Sequence, residues 1–518
     1  MQQRLYVEIP FLFVGLFALA SAAQADGSES AARLTKYQKI CQTDPRVTIG
    51  LVQEQTCIGA RLFFDETFDG NGRTCGTCHP AANNYTVDPA FIAHLRHDDP
   101  LFVSEKNPAL RGLEDPELLR RFALFKVNAD GFGDDTHPPV MRSVPHTLAL
   151  ATSLNPPPTL QDGGNICIDR TTLPPLARTG WAGDGAANDG TLSDFAGSAI
   201  RQHATKALGR VAGVDFSPSS ADEDGAIEAF MMRLGRQNEL TLEDASLTDQ
   251  GAELGRVSFL EGPAALCSSC HGEAGANAIL GDDESDELTY ANFTFNVGTE
   301  RARLARLNEL HVPFDAGFGV HPFDADGDGV KDSFGNGQFN TPPLIEAADT
   351  GPFFHTNAAS SIEDAIAFYV TDEFAHSPAG GASGGAFAFE PEDIGNLGRF
   401  LRVLNAALNT QMAISRSDAA LRITREYDGK EHVMESGLLD LAREELADAL
   451  RVLSGVRHLN VSAQRSLIGA ELQLSLAKFV RGRARAELVS NALKMLRSAN
   501  ASLGSGLQME LGDGTLMF

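Results

Sequence analysis

The sequence predicts a mainly α-helical protein: two related units in tandem, then a helical extension at the C-terminus. Three observations carry this. Apolar residues recur at helical spacing in stretches such as "TLSDFAGSAIRQHATKAL" and "EDGAIEAFMMRLGRQNEL". A lead-in of one plan occurs twice, as "IGARLFFDETFDGNGRTCGTCH" and "LGRVSFLEGPAALCSSCH". Each copy has a Gly and an Arg, apolar residues with Phe, a Gly-containing turn and then Cys-x-x-Cys-His, and repetition at this scale argues for two related units. Beyond about residue 430, "GLLDLAREELADALRVLSG" and "SAQRSLIGAELQLSLAKFVRGRARAELVSNALKMLRSA" read as long amphipathic helices that pack on the core or on a partner. The expected division is an export signal over residues 1–25, a first unit over 26–240, a second over 241–428 and the extension over 429–518.

Taken in chain order, the N-terminus has the parts of an export signal. Arg4 precedes the short apolar run "IPFLFVGLFALA", and Ala23-Gln24-Ala25 offers a small-x-small cleavage site. The expectation is a soluble mature chain starting near Asp26, without a membrane span, in the periplasm or outside the cell. An uncleaved N-terminal anchor is the alternative. "VTIGLVQEQTCIGARLFFDETF" is helix-friendly and leads into Cys75. From Asn83 to Gly180 the chain is rich in Pro, Gly, Asp and Asn and reads as mostly loop, with helical pieces such as "DPELLRRFALF". Past the second motif, loops continue around one clear helix, "SSIEDAIAFYVT", and "SPAGGASGGAFAF" reads as a flexible surface loop.

The formal net charge of the 518 residues is −27, which excludes nucleic acid as a natural partner. A cationic protein or a neutral small molecule suits such a surface. Of seven cysteines, four stand in the two motifs. Export permits disulfides, so Cys41 and Cys57 are candidates to pair, which leaves Cys167 over.

A Cys-x-x-Cys pair has three common uses: zinc, thiol redox chemistry and covalent haem. The histidine directly after each pair, His79 and His271, favours c-type haem. Cys75 and Cys78, and likewise Cys267 and Cys270, would add across the vinyl groups, and each histidine would ligate iron. Zinc needs four protein ligands, here drawn from motifs far apart in sequence. Thioredoxin-like chemistry wants a βαβ setting that is absent. Two covalently bound haem c groups are the expectation.

These motifs and several others resemble the bacterial dihaem cytochrome c peroxidase family, MauG-type enzymes included. "RSVPHTLAL", "GWAGDGAANDGTLSDFAGSAI", "FNVGT" and "GQFNTPPLIEAADTGPFFHTNAASSIEDAIAFY" are similar to that family's segments, over most of residues 50–410. The resemblance implies two cytochrome c-like haem domains in tandem, to which the C-terminal helical extension is added. It also implies that one haem reacts with hydrogen peroxide. The other would accept electrons from a small redox protein, a cytochrome c or a cupredoxin.

Further residue roles follow from the resemblance. Trp181, the single tryptophan, takes the family's place between the haems as an electron relay; a core aromatic is the other reading. The family's Asp-Gly-Arg after that tryptophan is here Ala-Gly-Asp, so a propionate partner must come from elsewhere. Tyr369 stands where the family has a methionine or, in MauG-type enzymes, a tyrosine ligand to the second iron, and His376 competes for that role. Phenolate ligation would lower the iron's potential. The family's distal glutamate is missing: Thr205 falls near its place. His203 is the candidate acid–base and His146 the runner-up, since imidazole titrates near neutral pH. Calcium is implied between the domains, through Thr341 and Pro343. Upstream, Asp324, Asp326, Asp328 and Asp332 with Gly329 resemble an EF-hand loop, but the twelfth position is Gly335. A shortened calcium loop and a plain acidic turn both fit.

Three functions remain open at this level: a dihaem peroxidase or MauG-like oxidoreductase, an oxygenase of an organic substrate on the same scaffold, and a dihaem electron carrier. The extension also offers a surface for a homodimer.

Overall fold

The computed structural model describes residues 13–128, 132, 138–154, 179–181, 191–262, 264–281, 288–292, 294–317, 322–323, 329, 333–335 and 337–518. Within these the chain is mainly helical, and its strands form five short antiparallel pairs. No helix among the described residues is long and apolar enough to cross a membrane. Cys167, Asp324, Asp326, Asp328 and Asp332 lie outside the described residues.

The repeated lead-in corresponds to a repeated helix crossing. In the first copy the helix Glu54–Asp65 packs on Ala221–Met231. Gly59 sits at the crossing, where a Cβ would lie 1.8 Å from the Ala226 carbonyl oxygen. One turn on, Phe63 meets Phe230 edge-on with ring centroids 5.2 Å apart. In the second copy Gln250–Glu261 packs on Pro391–Glu426. There Gly255 is the contact, 2.2 Å from the Asn396 carbonyl oxygen for a hypothetical Cβ, and Phe259 meets Phe400 at 5.5 Å. A glycine lets two backbones approach, and a phenylalanine one turn later fills the widening gap. The two crossings therefore set each Cys-x-x-Cys-His turn against the same kind of support.

The 36-residue helix Pro391–Glu426 is the spine of the molecule. Its helical pattern is weak in sequence because its buried face carries Asn405, Asn409, Thr410, Arg416 and Ser417 as well as apolar residues. Buried polar groups of this kind need partners: Arg416 pairs with Glu445 of the extension, and Asn409 donates to Asp349 at 2.6 Å. The extension consists of His432–Ser454, Val461–Ala477 and Gly482–Leu503. It packs on the rest of the chain, and the residues after it return to the first copy. Arg46 donates to the Leu516 carbonyl at 2.8 Å, and the Gln53 N–H to Asp513 at 2.7 Å. Cys41, in Phe13–Gln42, is disulfide-bonded to Cys57 in Glu54–Asp65.

One local expectation is corrected. "SPAGGASGGAFAF" is surface-exposed over residues 381–384 but is not loop throughout. It opens with the helix Pro378–Ala382, packed so closely that a Cβ on Gly380 would lie 1.9 Å from the Phe374 carbonyl oxygen. Phe387 and Phe389 then turn inward, because two phenylalanines outweigh the glycines around them once an apolar surface is at hand.

Candidate functional site

A single cavity of about 900 Å³ is lined by both Cys-x-x-Cys-His motifs. At the first, Cys75–Cys78 is one helical turn, so the two thiols stand three residues apart on one face. Thr74 and Thr77 cap that turn reciprocally. His79 leaves the helix at φ −122°, ψ 61°, and its Nδ1 lies 2.8 Å from the Tyr85 carbonyl oxygen. A carbonyl only accepts, so Nδ1 carries the proton and Nε2 is the lone-pair nitrogen of a neutral ring. Burial keeps the ring neutral by pushing its pKa down to about 4.

The second motif reproduces this. Cys267 and Cys270 lie in Ala265–Cys270, and His271 leaves it at φ −118°, ψ 55°. Its Nδ1 is 3.0 Å from the Pro342 carbonyl oxygen, and burial again lowers its pKa to about 4. None of the four thiols is in a disulfide. Burial raises Cys75 and Cys267 to about 12, and Cys78 and Cys270 to about 11. Such thiols are poor nucleophiles, and among the described residues neither pair is joined by further ligands into a zinc site. Paired thiols beside a neutral, oriented imidazole, on the wall of a largely apolar cavity, fit covalent haem at both motifs.

Trp181 lines the same cavity, and its Nε1–H donates to the Ser143 carbonyl at 2.8 Å. Its own carbonyl accepts from the Asn340 N–H at 2.8 Å, one residue before Thr341. The ring is thus tied to "RSVP" on one side and to the segment that orients His271 on the other. Residues 182–184, where the family's Arg is replaced, lie outside the described residues.

Tyr369 lines the cavity from a 3₁₀ turn, Phe368–Val370, that follows the short helix Ile362–Ala367. Phe387 stacks on its ring at 5.8 Å, and Phe374 packs edge-on at 5.0 Å. Burial, and then the nearby Cys267 and Cys270, hold its phenol above the ordinary range, so Tyr369 lies close to the second motif. His376 is exposed, with Nδ1 turned to the Asp372 carbonyl of its own turn at 2.8 Å.

His203 ends the helix Leu192–His203 and lines the cavity. His146 lines it too, half-buried, with a pKa pushed down to about 4 by burial and then by Arg236. Thr205 does not: its hydroxyl is satisfied by the Ala207 carbonyl at 2.6 Å. Thr341 and Pro343 line the cavity, and the Thr341 carbonyl accepts from the Asn292 amide at 3.3 Å. Among the described residues no group of three or more His, Cys, Asp or Glu is arranged to hold a metal ion.

Sequence reasoning passed over two buried pairs, one beside the first motif and one reaching the cavity through Arg142. Arg73, one residue before Thr74, bonds Glu114 at 2.9 Å. The only hint was an arginine inside the first motif's lead-in. Arg142 grips Asp315 through two bonds of 2.7 and 3.0 Å, and the His355 Nε2 lies 3.9 Å from the same carboxylate. The His355 ring stacks on Phe339 at 4.0 Å.

His355 makes stability acid-sensitive. Burial lowers its pKa to about 4, against about 6.5 for a free imidazole. Between those values the unfolded chain binds a proton that the folded chain does not. The contribution is fully present above about pH 6.5 and is lost as the pH falls towards 4; it is on the order of 3 kcal/mol. Urea unfolding at pH 7.5 and 4.5 measures it. His355→Gln is expected to narrow the gap between the two conditions, and an unchanged gap would rule His355 out as a source.

A mainly helical chain with two such motifs on one cavity has the parts of a dihaem c-type oxidoreductase. Comparison with known proteins points the same way at a distance. The chain is 26% identical over 335 residues to the methylamine utilization protein MauG of Paracoccus denitrificans (strain Pd 1222), covering 60% of this chain and 73% of that protein. This supports a distant relationship to the dihaem cytochrome c peroxidase family. No family model matches the chain.

Proposed function

We propose that the protein is an exported dihaem c-type peroxidase that reduces hydrogen peroxide at the first motif with electrons received through the second. The carrying observation is the one cavity that both motifs share, with Trp181, His203 and Tyr369 on its wall. Cys75 and Cys78 would hold one haem by thioether bonds and Cys267 and Cys270 the other, with His79 and His271 as iron ligands. Bound there, the two groups supply redox-active iron.

The chain's own residues do the rest. The carbonyls of Tyr85 and Pro342 orient the two imidazoles and raise their basicity as ligands. Tyr369 supplies a phenolic oxygen to the second site, with its ring packed against Phe374 and Phe387. Trp181 places a polarisable ring between the sites. His203 takes a proton from one peroxide oxygen and returns it to the other, the transfer that lets the O–O bond part. Thr341 and Pro343 would offer oxygens to a calcium ion, and the acidic surface suits a basic cytochrome or cupredoxin as donor.

Titration of the haem-loaded ferric protein with hydrogen peroxide tests the proposal. Rapid bleaching and shifting of the Soret band at stoichiometric peroxide, reversed by a reduced donor protein, is expected. Two low-spin haems that ignore peroxide would instead leave a plain electron carrier.

A further inference from the structure

We propose that Glu114 is the positioning carboxylate of His203: it orients the imidazole so that Nδ1 keeps its proton and Nε2 is the base offered to peroxide. The inference rests on reading His203 as the acid–base of the first site.

Glu114 is a built-in anion. It is 2% exposed and immediately precedes Asp115, the cap of the helix Pro116–Phe122. One oxygen accepts from Arg73 at 2.9 Å, and the other accepts from the Lys126 backbone N–H at 2.8 Å. Arg73 is itself pinned to the Leu101 carbonyl at 2.6 Å. The carboxylate is therefore anchored two residues from Cys75 and moves with the first motif. The remaining neighbour of its Arg73-bound oxygen is His203, whose Nδ1 lies 3.8 Å away. That Nδ1 is buried and has no hydrogen-bond partner among the described residues. The end of the His203 helix is held as well: the Asn71 amide donates to the His203 carbonyl at 2.8 Å and to the Thr205 carbonyl at 2.9 Å.

A buried donor without a partner is costly, and a buried carboxylate lies within one side-chain rotation of it. Catalytic hydrogen bonds are often long before a ligand binds and tighten afterwards. Closing this one assigns the tautomer: a carboxylate accepts, so Nδ1 is the protonated nitrogen. Nε2, the remaining nitrogen of a ring that lines the cavity, becomes the base. The carboxylate then stabilises the imidazolium formed when Nε2 takes the first peroxide proton. The proton goes to the far oxygen, the O–O bond breaks and water leaves. Two electrons from the donor protein and two protons from solvent complete the reduction to a second water. The other charged or titratable groups close to this pair are Arg73, Cys78 and His79.

The test uses the full-length, haem-loaded ferric protein and reads cyanide association from pH 5 to 9, beside kcat/KM for hydrogen peroxide. HCN must give up its proton to a base as it binds, so its on-rate reports the base without turnover. Glu114→Gln is expected to slow cyanide association and peroxide reaction about tenfold to a hundredfold at pH 7. It is also expected to move the acid limb of the cyanide profile to lower pH, because the imidazolium loses its counter-charge. In a His203→Gln background, Glu114→Gln should change nothing further. Glu114→Asp keeps the charge against Arg73, guards against misfolding and should show a partial loss. A wild-type rate and profile in both Glu114 variants overturns the proposal, as does an equal effect of Glu114→Gln with and without His203. If His203→Gln alone leaves cyanide and peroxide rates unchanged, the acid–base reading itself fails. If it lowers them while the Glu114 variants do not, only the positioning role fails.

Discussion

Replacing Cys75 and Cys78 together by alanine is expected to leave one covalent haem per chain instead of two and to abolish peroxide turnover. The two thiols occupy one face of a four-residue turn and are the only covalent hold the first motif offers. Alanine is the best helix former and removes only a sulfur from each side chain, so the turn should persist. His79 remains, fixed by the Tyr85 carbonyl, but a lone imidazole in a cavity of about 900 Å³ does not retain a group that size covalently. The expected loss in peroxide kcat/KM is at least about a thousandfold, roughly 4 kcal/mol of barrier. Intact-mass measurement and a haem-stained gel count the attached groups. Two haems still attached to the variant would refute the assignment of the motif. Full turnover with one haem would place the peroxide chemistry at Cys267 and Cys270.

Tyr369→Phe is expected to alter the spectrum of one haem only, the one at Cys267 and Cys270, and to raise its midpoint potential by on the order of 100 mV. Phenylalanine keeps the ring between Phe374 and Phe387, so the packing shell survives and the change isolates the hydroxyl. An anionic oxygen ligand favours ferric iron, and its loss shifts the balance towards ferrous. Spectroelectrochemical titration separates the two haems. An unchanged spectrum and potential would show that Tyr369 is only a member of the aromatic shell.

Much of the chemistry was legible because it is local. Three-residue spacing of thiols and an adjacent histidine need only one helical turn, so Cys75–His79 and Cys267–His271 announce themselves at any level of description. The lead-in repeat was legible for the same reason. Its glycine and phenylalanine recur four residues apart, and both pairs stand at a helix crossing. What could not be read was what each crossing meets. Gly59 touches Ala226, 167 positions away by number, and Gly255 touches Asn396. The spine helix Pro391–Glu426 was obscured by the polar residues it buries, which are tolerable only because Glu445 and Asp349 wait for them. The segment holding Phe387 looked like a solvent loop because glycine, alanine and serine dominate it. Its aromatic residues found a wall to pack on, and Tyr369 is part of that wall.

The sequence by itself determined a helical chain with two Cys-x-x-Cys-His turns, a strongly acidic composition and a short list of candidate histidines and aromatic residues. Only the tertiary structure decided which of these share a cavity. It placed Trp181 between "RSVP" and Asn340, put Tyr369 on the wall and His376 in solvent, and set Glu114 behind His203. The physical reason is range. Ligand spacing and capping are settled within a turn of backbone, whereas a carboxylate is set beside a distant imidazole only by the helices and loops that bring them together.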